Sequence, residues 1–344
     1  MRKLPFAIAG GTALLAAVAA VLTIGLQPAR PGVRPSSSPS VKLGPPVTPY
    51  AKAVDAAHDR GLHVWLEADL VKRWVAGKDR FDEGVLMVAN LAKRPGVDGV
   101  KIADELGYKD GLDTTDKIRG FLHDSAAALR KAAPGKLILV DLLVPELGCA
   151  PDHRPPLRWA TICAVQLRGQ YPQLRLESVD SYLRSGDIDV LDLSTGLLSD
   201  KTYSGWGLDM ATAQRTAWAE VHQRGWDSQV RLQARKALAH PGRYTDSASE
   251  TDDELATFVD IPRTEGAHAV DVWTWHQQYQ GDMYRLLDPG LVPNVLWDAL
   301  ARRRSAGAVL FTHLSPQSLE VGLDADLAAL AQVFTDVFVA AGTG

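Results

Sequence analysis

The segment Leu62–Leu70 (LHVWLEADL) shows the pattern that decides the fold of this chain. Its apolar positions recur at every second residue, which is the period of a β-strand with one buried face. These positions are Leu62, Val64, Leu66 and Ala68. The intervening positions are polar or aromatic and include Trp65, Glu67 and Asp69. A strand of this kind packs its apolar face against helices and directs the other face elsewhere in the fold.

Six further segments are short and rich in apolar residues, as expected of strands. They are Gly99–Leu106, Lys136–Val144, Asp189–Thr195, Gln229–Arg235, Ala269–Trp275 and Gly307–His313. The segments between and around the strands have the longer period of helices. These are Pro49–Arg60, Phe81–Lys93, Thr115–Ala133, Leu174–Arg184, Met210–Arg224, Asp252–Glu265, Pro293–Arg304 and Asp324–Ala340.

Strict alternation of strands and helices predicts parallel βα units, and eight such units predict an α/β fold like the (β/α)8 TIM barrel. The first strand is short or missing in this prediction, because only Val41–Leu43 precedes the first helix. A doubly wound open sheet is the alternative. The chain has no Gly-rich phosphate loop to support a nucleotide-binding version of that sheet.

The N-terminal region predicts export. Arg2 and Lys3 precede an apolar run from Leu4 to Leu26, so residues 1–27 are expected to form a signal peptide or a signal-anchor helix. Residues 28–49 are rich in Pro and Ser, which is typical of a semi-rigid linker. Residues 50–341 then form the TIM-barrel domain. The expected location is extracellular, either secreted or anchored to the outer face of the cytoplasmic membrane.

Composition narrows the possible partners. The chain is 46% hydrophobic with a net charge of −4, which argues against disorder and against a nucleic-acid partner. Cys149 and Cys163 are close in sequence, and an oxidising compartment favours a disulfide between them. The cysteines lack the histidine companions of a zinc site. We expect neither a cofactor nor a metal, and the membrane is a partner only if the N-terminal segment is retained.

Six strands place charged, amide or aromatic groups opposite their apolar face. These groups are Trp65, Glu67, Asp69, Lys101, Glu105, Asp141, Asp192, Arg231, Gln233, Arg235, Asp271, Trp273 and Trp275. In a barrel, the interior and the carboxyl ends of the strands receive them. Because burying so many charges is costly without partners, they form either a structural ion-pair network or a polar, Trp-lined binding cleft.

Carboxylates for acid/base chemistry, Arg and Gln for hydroxyl recognition, and Trp for sugar faces are typical of carbohydrate sites. From Tyr50 to Ala341, the chain thus resembles an exported TIM-barrel glycoside hydrolase in architecture. The resemblance implies an acid/base carboxylate on the fourth strand, where Asp141 and Glu146 match if a short first strand is counted. The chain departs from the best-known retaining β-glycosidases, since it has no Asn-Glu pair there and no Glu closing the seventh strand.

The candidate catalytic carboxylates are Glu105, Asp141, Glu67, Asp69, Glu146 and Asp192. Strand alternation favours Glu105 over Asp104 as the residue that faces the cleft. The candidate substrate-binding residues are Trp65, Lys101, Arg231, Gln233, Arg235, Asp271, Trp273, Trp275 and His276. The other strand-end histidine, His313, is interpreted as structural.

The leading hypothesis is a secreted or membrane-tethered glycoside hydrolase. It would cleave a glycosidic bond of an extracellular or cell-wall glycan by carboxylate acid/base chemistry. One alternative is a non-catalytic carbohydrate-binding barrel, and another is a metal-dependent phosphoester hydrolase that requires tightly clustered carboxylates.

Overall fold

The computed structural model describes residues 48–150 and 157–341. Eight parallel strands close into a barrel, which confirms the predicted (β/α)8 TIM-barrel architecture. In the order of their pairing these strands are β1 (His63–Glu67), β2 (Val97–Lys101), β3 (Leu137–Leu143), β4 (Val190–Ser194), β5 (Arg231–Ala237), β7 (Ala269–Trp273), β10 (Leu310–Leu314) and β11 (Asp336–Ala340). Strand β11 pairs with β1 and closes the barrel.

Helices surround the barrel and bury its outer apolar face. They are α1 (Pro49–His58), α2 (Val71–Val75), α3 (Lys78–Ala92), α4 (Thr115–Ala132), α5 (Arg158–Gln170), α6 (Leu176–Leu183), α7 (Asp200–Trp206), α8 (Met210–Gln223), α9 (Ala248–Leu255), α10 (Ile261–Thr264), α11 (Val295–Ser305) and α12 (Leu323–Leu330). Side-chain caps fix several starts. The Thr114 hydroxyl, for example, accepts a hydrogen bond from the Lys117 backbone N–H at α4.

The prediction of a short or missing first strand was wrong. The barrel closes with β1 as its first strand and β11 as its eighth. The segment predicted as one helix over Asp324–Ala340 instead contains both α12 and β11. A short apolar run such as that of β11 cannot be distinguished from a buried helix by its period alone. The segment Val41–Leu43 lies outside the described residues.

A small antiparallel sheet also went unpredicted. It consists of β6 (His240–Pro241), β9 (Asp282–Arg285) and β8 (His276–Tyr279), in the loops that follow β5 and β7. Among the residues that the structure describes, no helix is long and apolar enough to cross a membrane. The apolar run of residues 4–26 and nearly all of the Pro/Ser-rich segment lie outside them.

An aromatic floor fills the lower half of the barrel interior. Trp65 is only 2% exposed, and its ring packs 5.9 Å from that of Phe311 and 6.4 Å from that of Phe338. Gly99 on β2 makes room for it, since a Cβ atom there would lie 2.4 Å from the Trp65 ring and 2.5 Å from the Leu137 carbonyl oxygen. The floor closes one end of the barrel, so polar groups gather at the other.

We expect Gly99→Ala to lower the free energy of unfolding by roughly 1–3 kcal/mol, because the new methyl group overpacks the floor against a backbone atom. Gly169→Ala is the matched control. It lies in α5 with nothing within 4 Å of the new Cβ, so stability should stay the same or rise by up to about 1 kcal/mol. Urea denaturation measures both, and equal stability of the two variants would contradict this packing.

Candidate active site

The carboxyl ends of seven strands bring a set of polar side chains together at the barrel mouth. We call this set the mouth cluster: Glu67, Lys101, Asp104, Asp141, Asp192, Gln233, Arg235, Asp271 and His313. The register of the parallel strands brings these residues together. Asp141 on β3 lies opposite Asp192 on β4, and Asp192 lies opposite Gln233 on β5. Function collects at this end of TIM barrels, so the mouth cluster is the candidate active site.

Lys101 lies at the centre of the cluster and is fully buried. Its Nζ lies 3.1 Å from Glu67 Oε1, 2.9 Å from Asp104 Oδ1 and 3.8 Å from Asp141 Oδ2. Burial acts to lower the pKa of Lys101, but the charges of Asp104 and Glu67 outweigh burial and raise it. The ammonium therefore stays charged and links three carboxylates.

Arg235 is the second cation of the mouth. Its guanidinium lies 3.0 Å from Asp104 Oδ1, contacts Asp141, and has its Nε 3.8 Å from Asp271 Oδ2. Burial acts to raise the pKa of Asp104, but Arg235 and Lys101 outweigh it and hold that pKa well below its usual range. Asp104 is therefore ionised at neutral pH, and Asp141 contacts the same guanidinium.

His313 is the third cation. Its Nδ1 lies 3.0 Å from Glu67 Oε2, and its Nε2 lies 2.8 Å from Asp271 Oδ2. Burial favours the neutral ring, but Asp271 and Glu67 outweigh it and raise the pKa of His313 to about 9. Burial likewise acts to raise the pKa of Glu67, but His313 and Lys101 lower it to about 2. Both ring nitrogens therefore carry a proton at neutral pH.

Asp192 differs from the other carboxylates of the cluster. It is fully buried, and within the described chain it forms no ion pair with Lys, Arg or His. Burial raises its pKa well above the usual range, and the neighbouring charge of Asp271 adds to the effect. Three cations thus face the carboxyls of Glu67, Asp104, Asp141 and Asp271, and Asp192 is the fifth carboxyl, with a raised pKa.

Seven buried polar atoms of the mouth have no hydrogen-bond partner among the described residues. They are Asp141 Oδ1, Asp192 Oδ1 and Oδ2, Asp271 Oδ1, Gln233 Oε1 and Nε2, and Arg235 Nη1, whose contact with Asp141 is an ion pair. Each unpaired atom costs about 1–3 kcal/mol, and a domain is stable by only about 5–15 kcal/mol in total. Protonation of Asp192 satisfies part of this set, and solvent or a polar ligand must satisfy the remainder.

Glu105 lies at the rim of the mouth, where the chain turns after β2. It is half-buried with a φ of 45°, and its backbone N–H donates to Asp141 Oδ2 at 3.2 Å. Burial raises the pKa of its carboxyl, against the pull of Arg235. Glu67 and Glu105 are therefore two solvent-reachable carboxyls of the same mouth whose pKa values shift in opposite directions.

Trp273 ends β7, two residues after Asp271 and on the same side of the strand. It is half-buried and packs against two tyrosines of the small sheet, with ring centroids 5.7 Å from Tyr279 and 5.9 Å from Tyr284. An aromatic face of this kind next to carboxylates suits the apolar face of a sugar ring. This is the only one of the three predicted tryptophans that lies beside the cluster, since Trp65 belongs to the floor.

Several other predicted site residues lie outside the cluster. Asp69 forms an ion pair with Lys72 at 3.2 Å. Glu146 follows β3, contacts Arg168, and accepts a hydrogen bond from the Leu176 N–H. Both carboxylates therefore have structural partners of their own.

The remaining predicted substrate-binding residues also lie outside the mouth cluster. Arg231 is exposed at the start of β5, at the opposite end of the barrel. The Trp275 indole N–H donates to Asp326 Oδ1 at 2.8 Å in the core. His276 Nε2 lies 2.7 Å from Glu320 Oε2.

Cys149 and Cys163 form a disulfide that ties the segment after β3 to α5.

Two members of the cluster were not among the predicted site residues. Strand β2 ends at Lys101, so alternation does not extend to residues 104 and 105, and it is Asp104 that contacts both Lys101 and Arg235. His313 was interpreted as structural, but it joins Glu67 to Asp271. The strand count also changes. Asp141 belongs to the third barrel strand, and the fourth bears Asp192.

The two cations Lys101 and Arg235 argue against a metal site in the mouth. Lys101 and Arg235 occupy the space between its carboxylates, where a divalent cation would have to lie. In the described part of the chain, ligand atoms converge to within 4.8 Å only at His63, Asp98 and Asp336, at the starts of β1 and β11 and on β2. The mouth therefore does not have the donor arrangement of a metal-dependent phosphoester hydrolase.

No protein-family model and no curated protein sequence matches the chain. Among solved structures, a carboxyl transferase domain from Rhizobium etli pyruvate carboxylase, with pyruvate and biocytin, superposes with a TM-score of 0.44 at 13% identity, over 86% of this chain and 42% of that one. A putative phosphonomutase from Burkholderia cenocepacia J2315 gives 0.41 at 15% identity, over 84% and 92%. Xylanase 10B from Thermotoga petrophila RKU-1, in complex with xylobiose, gives 0.40 at 10%, over 68% and 69%.

The chain spans only 24% of a longer Rhizobium etli pyruvate carboxylase chain that it also matches. The three proteins are enzymes of different kinds, so the comparison selects no activity. The barrel fold rests on the strand order itself.

The shifted pKa of His313 predicts how stability depends on pH. It is raised from 6.5 to about 9, so its contribution is complete below pH 6.5 and lost as pH rises through about 9. The loss is on the order of 3 kcal/mol. We expect chemical denaturation to show this fall between pH 6.5 and 9.5 in the wild type and a flatter profile in His313→Gln. Parallel profiles would contradict the assignment.

Proposed function

We propose that the protein is a glycoside hydrolase acting on a glycan outside the cytoplasm. The observation that carries the proposal is the pair Glu67 and Glu105, two half-buried carboxyls in one barrel mouth whose pKa values are shifted in opposite directions. Glycosidic bond cleavage requires one carboxylic acid to protonate the leaving oxygen and one carboxylate to act at the other side. Groups whose pKa values are pushed apart identify these roles.

In this mechanism Glu105 is the general acid. Among the described residues its carboxyl has no charged hydrogen-bond partner, and burial raises its pKa, which favours donation of a proton to the leaving oxygen. Glu67 is the ionised partner, because Lys101 and His313 stabilise its negative charge. It acts on the anomeric carbon directly or through a water molecule, and the anomer of the first product distinguishes the two routes.

A sugar substrate is supported by the surroundings of the pair. Trp273 supplies an aromatic face beside Asp271. Gln233 supplies a buried amide with free donor and acceptor capacity. Arg235, which is 12% exposed, can donate to substrate hydroxyls from the wall of the mouth. Such a combination of stacking and hydrogen bonding suits a hydroxyl-rich ring better than a phosphoester.

A non-catalytic carbohydrate-binding barrel is the second candidate. The observation in its favour is that Glu67, Asp104, Asp141 and Asp271 are already paired with Lys101, Arg235 or His313. Such pairing limits the chemistry that these groups can do. Both candidates share the ligand class and differ in turnover.

Export and membrane tethering belong to the proposal as well. The linker would join the barrel at Thr48, where α1 begins. The Tyr50 hydroxyl accepts a hydrogen bond at 2.7 Å from Gln317, which lies in the loop after β10 on the mouth side of the barrel. A tether attached on this side would keep the mouth turned toward the surface from which the chain extends.

Incubation of the full-length protein with a panel of soluble and cell-wall glycans is expected to release reducing ends. We expect Glu105→Gln and Glu67→Gln each to lower kcat by roughly 10²–10⁴-fold, as for loss of a catalytic acid or base. Glu83→Gln on α3, an exposed glutamate paired with Arg80, is the matched control and should leave kcat unchanged. Binding without product release would support the non-catalytic barrel, and full activity in both variants would contradict the assignment of the pair.

Expression of the full-length gene in a bacterial host with an export pathway tests the location. We expect the protein in the membrane or extracellular fraction, and Arg2→Glu combined with Lys3→Glu should reduce export because the positive residues orient the apolar run. Mass spectrometry of the mature N-terminus distinguishes cleavage from retention. An intact protein confined to the cytoplasm would contradict export.

A further inference from the structure

The side chains of Asp271, His313 and Glu67 form a continuous line across β7, β10 and β1. His313 bridges the two carboxylates, with Nε2 lying 2.8 Å from Asp271 Oδ2 and Nδ1 3.0 Å from Glu67 Oε2. Asp192 lies within hydrogen-bonding reach of Asp271. Asp192 Oδ1 and Oδ2 and Asp271 Oδ1 have no other hydrogen-bond partner among the described residues. Ionised carboxylate oxygens can only accept, so two carboxyl groups can form a hydrogen bond only if one of them carries a proton.

We propose that Asp192, Asp271 and His313 are a relay of positioning residues that fixes the orientation and the charge of Glu67. The inference rests on the proposed function, because it takes Glu67 as the reacting carboxylate. The Asp192 hydroxyl donates to Asp271 Oδ1. Asp271 Oδ2 accepts from His313 Nε2, and His313 Nδ1 donates to Glu67.

The neighbouring cations decide which aspartate carries the proton. Asp271 lies beside His313 and has Arg235 Nε at 3.8 Å, so its negative charge is compensated twice. Asp192 has no such cation within the described residues. The proton therefore resides on Asp192, where it also removes the repulsion between the two carboxyls.

The charge of His313 depends on every group packed against it. Glu67 approaches from β1, Lys101 from β2, Asp104 from the loop after β2, and Asp271 from β7. The ring of Phe338 on β11 lies 4.9 Å from the imidazole and supplies no charge. Arg235 approaches the same Asp271 oxygen from β5. Since these three carboxylates outnumber the two cations, Lys101 and Arg235, the imidazolium is the form that the site stabilises. Glu67 then accepts from a charged donor, which is the stronger kind of hydrogen bond.

The test is an NMR titration of the histidine side chains in the full-length protein, with His313 assigned from the signal that His313→Gln lacks. In the wild type we expect His313 to remain protonated at pH 7.5. Asp192→Asn replaces a neutral carboxyl by a neutral amide, so the pKa of His313 should change by less than about 0.3. Asp271→Asn removes an adjacent negative charge, so that pKa should fall by at least about one unit.

Two results would overturn the relay. One is a neutral His313 at pH 7.5 in the wild type. The other is a fall in the His313 pKa in Asp192→Asn as large as about one unit, which would mean that Asp192 is ionised. Asp192→Asn is close in shape to the native residue and leaves the test possible even if Asp271→Asn does not fold.

A second readout is the pH profile of glycan cleavage. Asp271→Asn should lose kcat/KM relative to the wild type as pH rises from about 6.5 to about 9, because its His313 gives up its proton at lower pH and Glu67 then loses a charged donor. The ratio of Asp192→Asn to the wild type should stay constant over this range. A pH-independent ratio in Asp271→Asn would overturn the relay. Absence of any cleavage by the wild type would contradict the proposed function, whereas the histidine titration judges the relay without turnover.

Discussion

The burial of Lys101 is the constraint on which the mouth of this barrel depends. A fully buried ammonium is tolerated only when carboxylates compensate it, and Glu67, Asp104 and Asp141 lie within 4 Å of its Nζ. These carboxylates in turn need Arg235 and His313. The result is a network in which removal of one charge leaves another uncompensated, so the mouth is held in one arrangement by electrostatics rather than by close packing alone.

The same network separates the protonation states of its carboxyls. Cations hold Glu67 ionised, burial favours the acid form of Glu105 at the rim, and Asp192 forms no ion pair among the described residues. A purely structural network has no need for buried polar atoms that lack protein partners, yet Gln233 and Asp192 have them. This combination favours a site that handles protons and polar ligands. The aromatic floor below it, built on Trp65 and Gly99, confines any ligand to the mouth.

Much of this arrangement could be predicted from the sequence. The period-two pattern predicted the strands and the inward direction of Glu67, Lys101, Asp141, Gln233 and Asp271, since alternation along a strand is a local property. Alternation ends with the strand, however. Asp104 replaces Glu105 in the cluster because β2 stops at Lys101.

Residues brought together by distant segments were harder to predict. The role of His313 depends on two partners far away in sequence, Glu67 and Asp271. Trp275 follows β7 but turns into the core toward Asp326. The last strand was missed because its apolar run is too short to reveal a period. As a result, the strand that bears Asp141 was counted as the fourth instead of the third, and the choice of Asp141 and Glu146 depended on that count.

Neutron diffraction from a crystal grown near neutral pH tests the charge balance of the mouth most directly, because it locates the protons themselves. The network described here predicts deuterium on Asp192, on both ring nitrogens of His313 and on the Lys101 ammonium, with Glu67 and Asp271 ionised. An ionised Asp192, or an imidazole protonated on one nitrogen only, would contradict it.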